Sequence, residues 1–255
     1  MILRRLIENL RAQNWTAIAL EFVIVVTGVF IGTQVSNWNE QRLEKREIER
    51  MLSQLQPQLQ DFIEFFESAR DYYATTRSYA EVAFAGWEGR TQVSDSEFVI
   101  AAYQASQIMG ISTDSQNWTL IFGGDQLRKI EDPTFRRELS TLMSGNYDTV
   151  ELATVATKYR EDVRRVIPDP VQVAIRRRCG DRPDPNGPQV LVLPKTCDLR
   201  LADAEAAEVA AALRANPQLV GELRWHLAAV ATFLQNAERL EAQTRHLSGR
   251  IDRIN

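Results

Sequence analysis

The stretch Thr16–Asn37, TAIALEFVIVVTGVFIGTQVSN, decides how the rest of the chain is read. Aliphatic residues fill it from Ala17 to Val35, and Glu21 is the one charge inside. As a helix its 22 residues would extend roughly 33 Å, close to the hydrocarbon thickness of a bilayer. Trp15 and Trp38 bracket it, each carrying the amphipathic ring that settles at the headgroup level. A buried helix of a soluble protein would show a polar face, and this one shows none beyond Glu21 and a few small hydroxyls or amides. The basic start MILRRLIENLR resembles the n-region of a cleaved signal peptide. Against that, the apolar run is longer than a typical h-region, carries Glu21 and is followed by no A-x-A-like site. The stretch is therefore read as a transmembrane helix, residues 16–37, with an uncleaved anchor expected over a cleaved signal.

On its N-terminal side, residues 2–13 place Ile2, Leu3, Leu6, Ile7 and Leu10 on one helical face and Arg4, Arg5, Glu8 and Arg11 on the other. That pattern suits a short amphipathic segment, residues 1–15, lying in the headgroups on the cytoplasmic side. A disordered tail is the other reading.

On the C-terminal side no breaker intervenes after Trp38. Apolar positions run Ile48, Leu52, Leu55, Leu59, Phe62, Phe66, Ala69, Tyr73, Thr76, Ala80 and Ala83 at alternating steps of four and three, a heptad seam in which Thr76 is the polar member. A helix from about Asn39 to Ala85 would carry it, roughly 70 Å long, with Pro57 removing one backbone donor and predicting a kink near Ser53. Side rows at Met51, Ile63, Phe65, Tyr72, Tyr79 and Val82 widen the stripe, so more than one neighbour is expected to pack on it. Gly86–Gly89 should end the helix.

Further along, Ser94 with Glu97 forms a capping box before a helix of about fifteen residues, and Thr113 with Gln116 repeats the signature before Gly123-Gly124. Asp132-Pro133 caps another helix, Asp148 with Glu151 opens a further one, Asp169-Pro170 leads up to Cys179, and Asp203 can cap AEAAEVAAAL. From Asn216-Pro217 a second long helix carries Leu219, Leu223, Leu227, Val230, Leu234, Ala237, Leu240, Leu247 and Ile251. It is long enough to lie antiparallel on the first seam. Val190–Leu193 is the one strand expected. The fold class predicted is all-α: an N-terminal transmembrane helix followed by an elongated antiparallel helical bundle, residues 38–255, with two long helices and several short ones.

Composition agrees with one span joined to a soluble domain. Breakers are scarce outside the region from Ile167 to Leu193, and the mean hydropathy is negative. A net charge of −4 gives no electrostatic case for nucleic acid. The two cysteines, Cys179 and Cys197, flank the loop CGDRPDPNGPQVLVLPKTC. In an oxidising compartment a disulfide there would close that loop, a constraint of about 3 kcal/mol; in a reducing one they would be small hydrophobes. Basic residues flank the span on both sides, Arg4, Arg5 and Arg11 before it and Arg42, Lys45, Arg46 and Arg50 after it, so a bare count does not orient it. Long domains translocate largely regardless of charge, and with the cysteine pair this places the N-terminus in the cytoplasm and the C-terminal domain, with its 179–197 loop, in the periplasm.

Inside the span, Gly28 and Gly32 form a GxxxG extended by Ser36, and Glu21 shares their face. Small residues at that spacing let two helix backbones approach closely, and an intramembrane carboxylate is normally paired or protonated. This face is the candidate interface, with a second copy or another membrane protein as the partner. The bland reading is a common span sequence with Glu21 neutral or reaching for the headgroups. Arg176, Arg177 and Arg178, with Arg164-Arg165 upstream, form the one local basic cluster, either an anion or partner patch or a solvated helix end that complements the dipole. Phe62, Phe65, Phe66, Tyr72, Tyr73 and Tyr79 could line a ligand cavity, though aromatics at that spacing are usually core. His226 and His246 are the only histidines, and no metal, nucleotide or nucleophile-elbow motif appears. No cofactor, metal site or catalytic residue is expected, and nothing argues for an enzyme.

The pattern Asn14-Trp15, Glu21-Phe22, Val25-Val26, Gly28-Val29, Ile31-Gly32, Gln34 and Trp38-Asn39 resembles the N-terminus of a bacterial family of uncharacterised single-span inner-membrane proteins, a domain of unknown function. Leu127-Arg128, Asp132-Pro133 and Arg136-Arg137 resemble the same family's core. The resemblance implies an inner-membrane location, one span and an exported helical domain, and it carries no activity. The function expected is a membrane-anchored interaction or accessory protein; the alternative is a periplasmic ligand-binding, sensor-like module signalling through a partner.

Overall fold

The structure is a computed structural model, and it describes residues 15–109, 126–143, 157–184 and 187–254. The architecture is all-α. The first helix, α1, runs from Trp15 to Trp87 as 73 continuous residues. The apolar stretch 16–37 and the first bundle helix are thus one rod of roughly 110 Å. Pro57 sits within it and does not end it. Proline removes a single backbone donor, which a helix anchored by packing on both sides of the site survives.

The seam is buried as its spacing requires. Leu52, Leu55, Leu59, Phe66, Ala69, Tyr73, Thr76, Ala80 and Ala83 are all within 2% of full burial, while Ile48 and Phe62 are half-buried. Of the side rows, Met51, Ile63, Tyr72 and Tyr79 are buried and Phe65 half-buried. Val82 is exposed instead of packed, one position beyond the stripe's edge.

The second long helix, Gln218–Ile251, covers this seam antiparallel. Gln56 donates to Ser248 (2.8 Å), Arg245 pairs with Glu67 (2.5 Å), Arg70 with Glu241, and Tyr73 meets Phe233 edge-on at 5.2 Å. As numbers rise on α1, those of its partners fall.

Between the long helices lie α2 (Asp95–Gln104), a 3-10 turn (Gln126–Lys129), α3 (Pro133–Met143), α4 (Lys158–Val166), α5 (Asp169–Cys179) and α6 (Asp203–Arg214), so the last helix is α7. Ser94 and Glu97 make both bonds of the expected capping box, and Asp132 Oδ1 accepts from the amides of Thr134 (2.9 Å) and Phe135 (3.1 Å). α2 has ten residues, not about fifteen. Ser106, just past its end, turns its hydroxyl back to Tyr103 O (2.7 Å) and offers its own carbonyl to Arg160 (2.7 Å), which ends the helical ladder. Asp203 is the first helical residue of α6 and not its cap; Ala202 holds that position without a side-chain bond. The single strand expected at Val190–Leu193 is a hairpin: β1 (Arg182–Asp184) pairs antiparallel with β2 (Gly187–Val192), Arg182 opposite Val192. An isolated strand would leave its backbone groups unpaired, and the proline-rich arm supplies the partner.

Two core regions result. The larger gathers α1 from Phe66 onward, α2, α4, α5, α6 and the first two-thirds of α7. The smaller packs Met51, Leu55 and Leu59 against Phe135, Leu139 and Leu247. Where α1 turns over at its end, Gly86 lies against the Phe98 ring so closely that any Cβ would overlap it, and Gly89 takes a φ of 69°. The amphipathic segment expected at residues 2–13, the caps at Thr113/Gln116 and Asp148/Glu151, and Gly123-Gly124 fall outside the described residues.

Candidate functional site

Among the described residues, little packs on the lower part of α1. Within the described residues one helix, α1, is long and apolar enough to cross a membrane, and none of its most apolar 18-residue window is buried. Phe22, Val29, Phe30 and Ile31 are each more than half exposed, and the bracketing Trp15 and Trp38 are 72% and 63% exposed. Gly28 and Gly32 have nothing within 4 Å of where a Cβ would stand, and Ser36 is exposed, so the face is open to a second helix. Glu21 is half-buried, and its Oε2 is shielded from solvent with no hydrogen-bond partner.

Above Trp38 the helix becomes polar all round, and a groove of about 930 Å³ opens between α1, the 3-10 turn and the end of α7. Its floor includes Ile48, Leu52 and Phe135. Its ions are largely used internally: Lys129 pairs with Glu47 (3.0 Å), Arg250 with Asp132 (2.5 Å) and Glu138 (2.8 Å), and Arg42 stacks on Trp38 at 5.8 Å. Three separated segments build this groove, and no local sequence signal announces it.

At the far end of the bundle, Cys179 and Cys197 form the expected disulfide, with Cα atoms 5.4 Å apart. The loop it closes is also tied down by hydrogen bonds: Tyr79 donates to Pro194 O (2.8 Å), and Gln104 Nε2 to Cys179 O (2.5 Å). The arginine triplet beside it does not act as one patch. Arg178 makes a two-pronged pair with Asp198 (2.7 and 2.5 Å), Arg176 approaches Asp169 at 3.8 Å, and Arg177 is exposed. Arg164, upstream, is half-buried and lies over the Tyr103 ring at 5.0 Å.

The aromatics are core. Tyr72, Tyr73 and Phe66 are at most 2% exposed, and the Tyr73 hydroxyl accepts from Met109 N (3.1 Å). His226 is fully buried, with Nδ1 2.7 Å from Thr157 Oγ1. Burial first, then the nearby Arg160 charge, pushes its pKa down to about 4, so it is neutral at physiological pH. Glu241 is buried in the α7 seam: burial raises its pKa, but hydrogen bonds from Arg70 and Arg245 outweigh that and hold the carboxyl below its usual range. Neither group shows in a hydropathy pattern. Among the described residues no cluster of three or more His, Cys, Asp or Glu could hold a metal. No family model, curated protein or solved structure matches the chain.

Proposed function

We propose that the chain is a membrane-anchored interaction or accessory protein of the bacterial inner membrane. Its N-terminus is cytoplasmic, and its helical bundle stands in the periplasm. The observation that carries this is α1 itself: a largely exposed apolar cylinder continuing without a break into the seam of a packed bundle. An apolar surface exposed all round is stable only in lipid or against another protein. The disulfide supports an oxidising compartment for the bundle, and the resemblance of the N-terminal pattern to a family of single-span inner-membrane proteins points the same way. Partner capture or self-association runs through the face of Glu21, Gly28, Gly32 and Ser36, with the bundle as a second contact surface.

Affinity capture of the full chain in mild detergent tests the proposal. A stoichiometric partner, or a second copy, is expected to co-purify and to be lost on Gly28→Ile or Glu21→Leu. If those variants retain the partner unchanged, the span face is not the contact. Release of the chain by carbonate wash would remove the anchor itself.

A second reading is a ligand-binding bundle that signals through its partner. The unbroken helix favours it, because a rotation imposed on the bundle is carried directly into the span.

A further inference from the structure

Two guanidinium groups in the upper bundle stand half-buried without a counter-charge. Arg160 and Arg164, one turn apart on α4, both face the segment after α2. Arg160 Nη1 donates to Ser106 O (2.7 Å), and Arg164 Nη2 to Gln107 Oε1 (3.1 Å). Both acceptors are neutral. Among the described residues neither arginine has a carboxylate partner, and Arg164 Nε is shielded from solvent with no partner at all. Burial first, then the neighbouring Arg160 charge, holds the Arg164 guanidinium below its usual pKa. The Asp181 carboxylate is engaged by the Tyr72 hydroxyl, from which it accepts (3.2 Å).

The other cations of α4 are paired. On the same helix Lys158 has Asp162 (2.8 Å) and Glu222 (2.5 Å), and Arg165 has Asp162 (2.7 Å). A half-buried guanidinium is unfavourable unless an anion compensates it, and two side by side add mutual repulsion. A cluster kept in that condition is one that an anion completes.

We propose that Arg160 and Arg164 form a binding site for a small soluble phosphate-type oxyanion, inorganic phosphate or a phosphate monoester. Guanidinium forks match such oxygens two at a time, and two arginines without a carboxylate partner suit a dianion better than a single carboxylate. Height along the rod decides the source. Tyr72, level with the cluster, is 34 residues beyond Trp38, or roughly 51 Å above the membrane boundary if the chain is anchored as proposed. Lipid phosphates are out of reach there. The site lies wholly within the bundle, so it stands or falls separately from the anchoring proposal.

Titration calorimetry and thermal unfolding of the full chain in detergent micelles test the site, with inorganic phosphate, glycerol phosphate and chloride at matched ionic strength. Phosphate is expected to raise the unfolding midpoint where chloride does not, and a tighter response to glycerol phosphate would identify a monoester as the preferred ligand. Arg160→Gln should weaken phosphate binding roughly ten-fold, and Arg164→Gln should abolish the phosphate-dependent shift. An equal shift from chloride would mean screening only and would overturn the proposal, as would unchanged phosphate binding in both variants.

Discussion

The two ends of α1 are one helix covered in opposite ways. Near the start, Leu20, Phe22, Val29 and Phe30 are more than 60% exposed; beyond Leu52, the seam residues Leu55, Leu59, Ala69 and Ala80 are fully enclosed. The sequence differs accordingly. The lower part is apolar all round its circumference, whereas the upper part confines its apolar residues to a stripe and backs it with Gln60, Asp61, Glu64 and Glu67. Lipid covers a cylinder, and protein covers a stripe. Between them, from about Glu40 to Glu47, the helix is exposed and mostly charged, and it belongs to neither solvent.

The contrast can be broken most sharply by making the same deletion at each end. Phe66 is 2% exposed and stacks edge-on to Phe65 at 5.6 Å. Phe66→Ala should cost the bundle about 3–5 kcal/mol through lost burial and a cavity. Phe30→Ala removes the same atoms where no protein packs, and should move the bundle's unfolding by less than about 0.5 kcal/mol. Urea unfolding of the full chain in micelles, followed by circular dichroism, measures both. Equal costs would mean that the lower helix is covered by protein after all.

Protein cover also makes the upper part sensitive to pH. His226 is neutral in the fold with a pKa lowered from 6.5 to about 4, so the unfolded chain binds more protons in that interval. The stability it contributes is fully present above pH 6.5 and is lost as pH falls toward 4, about 3 kcal/mol at the limit. His226→Gln should flatten the acid side of the stability profile between those values, measured by unfolding midpoints at stepped pH. A profile as steep in the variant as in the parent would assign the acid sensitivity to carboxylates such as Glu241 instead.

How much of this was legible follows from what each pattern encodes. The α1 seam could be read position by position because its members are apolar, with Thr76 the one polar residue. The α7 seam could be read only in part. Leu219, Leu223, Val230, Ala237, Leu247 and Ile251 are buried as their spacing requires, while Leu227, Leu234 and Leu240 are half-buried, because the stripe also takes in His226, Phe233, Glu241 and Thr244. Polar groups enter a core when distant partners satisfy them, as Thr157 does for His226 and Arg70 for Glu241, with Arg245 adding a bond to Glu241 from one turn along α7. Thr244 needs no distant partner; its hydroxyl donates to Leu240 O (2.8 Å). The arginines repeat the lesson. The run Arg176–Arg178 is contiguous in sequence, but Arg178 is consumed by Asp198, while Arg160 and Arg164, four apart, are brought together on the segment after α2 by tertiary packing. The caps at Ser94 and Asp132 were legible because their chemistry is local. The basal groove was not, because it exists only once α1, α3 and α7 are brought together.

The smallest effect concerns the exposed, mostly charged stretch between the apolar part of α1 and the bundle. Its helix rests on intrahelical bonds and on a few weak surface pairs such as Lys45–Glu49 at 4.0 Å. Leu43 there is 55% exposed. Leu43→Gly should cost about 1 kcal/mol of local helix stability, leaving the bundle's unfolding midpoint in place while accelerating amide hydrogen exchange from residues 40 to 47 relative to those from 52 to 83. Such a variant softens the only covalent and mechanical link between the two ends of the rod. If the bundle acts on a membrane partner through that link, the partner will still be bound through the Gly28 face, but its response to the bundle will be lost. If the response survives a softened link, the bundle must reach its partner through its own surface, and the unbroken helix is a spacer rather than a lever.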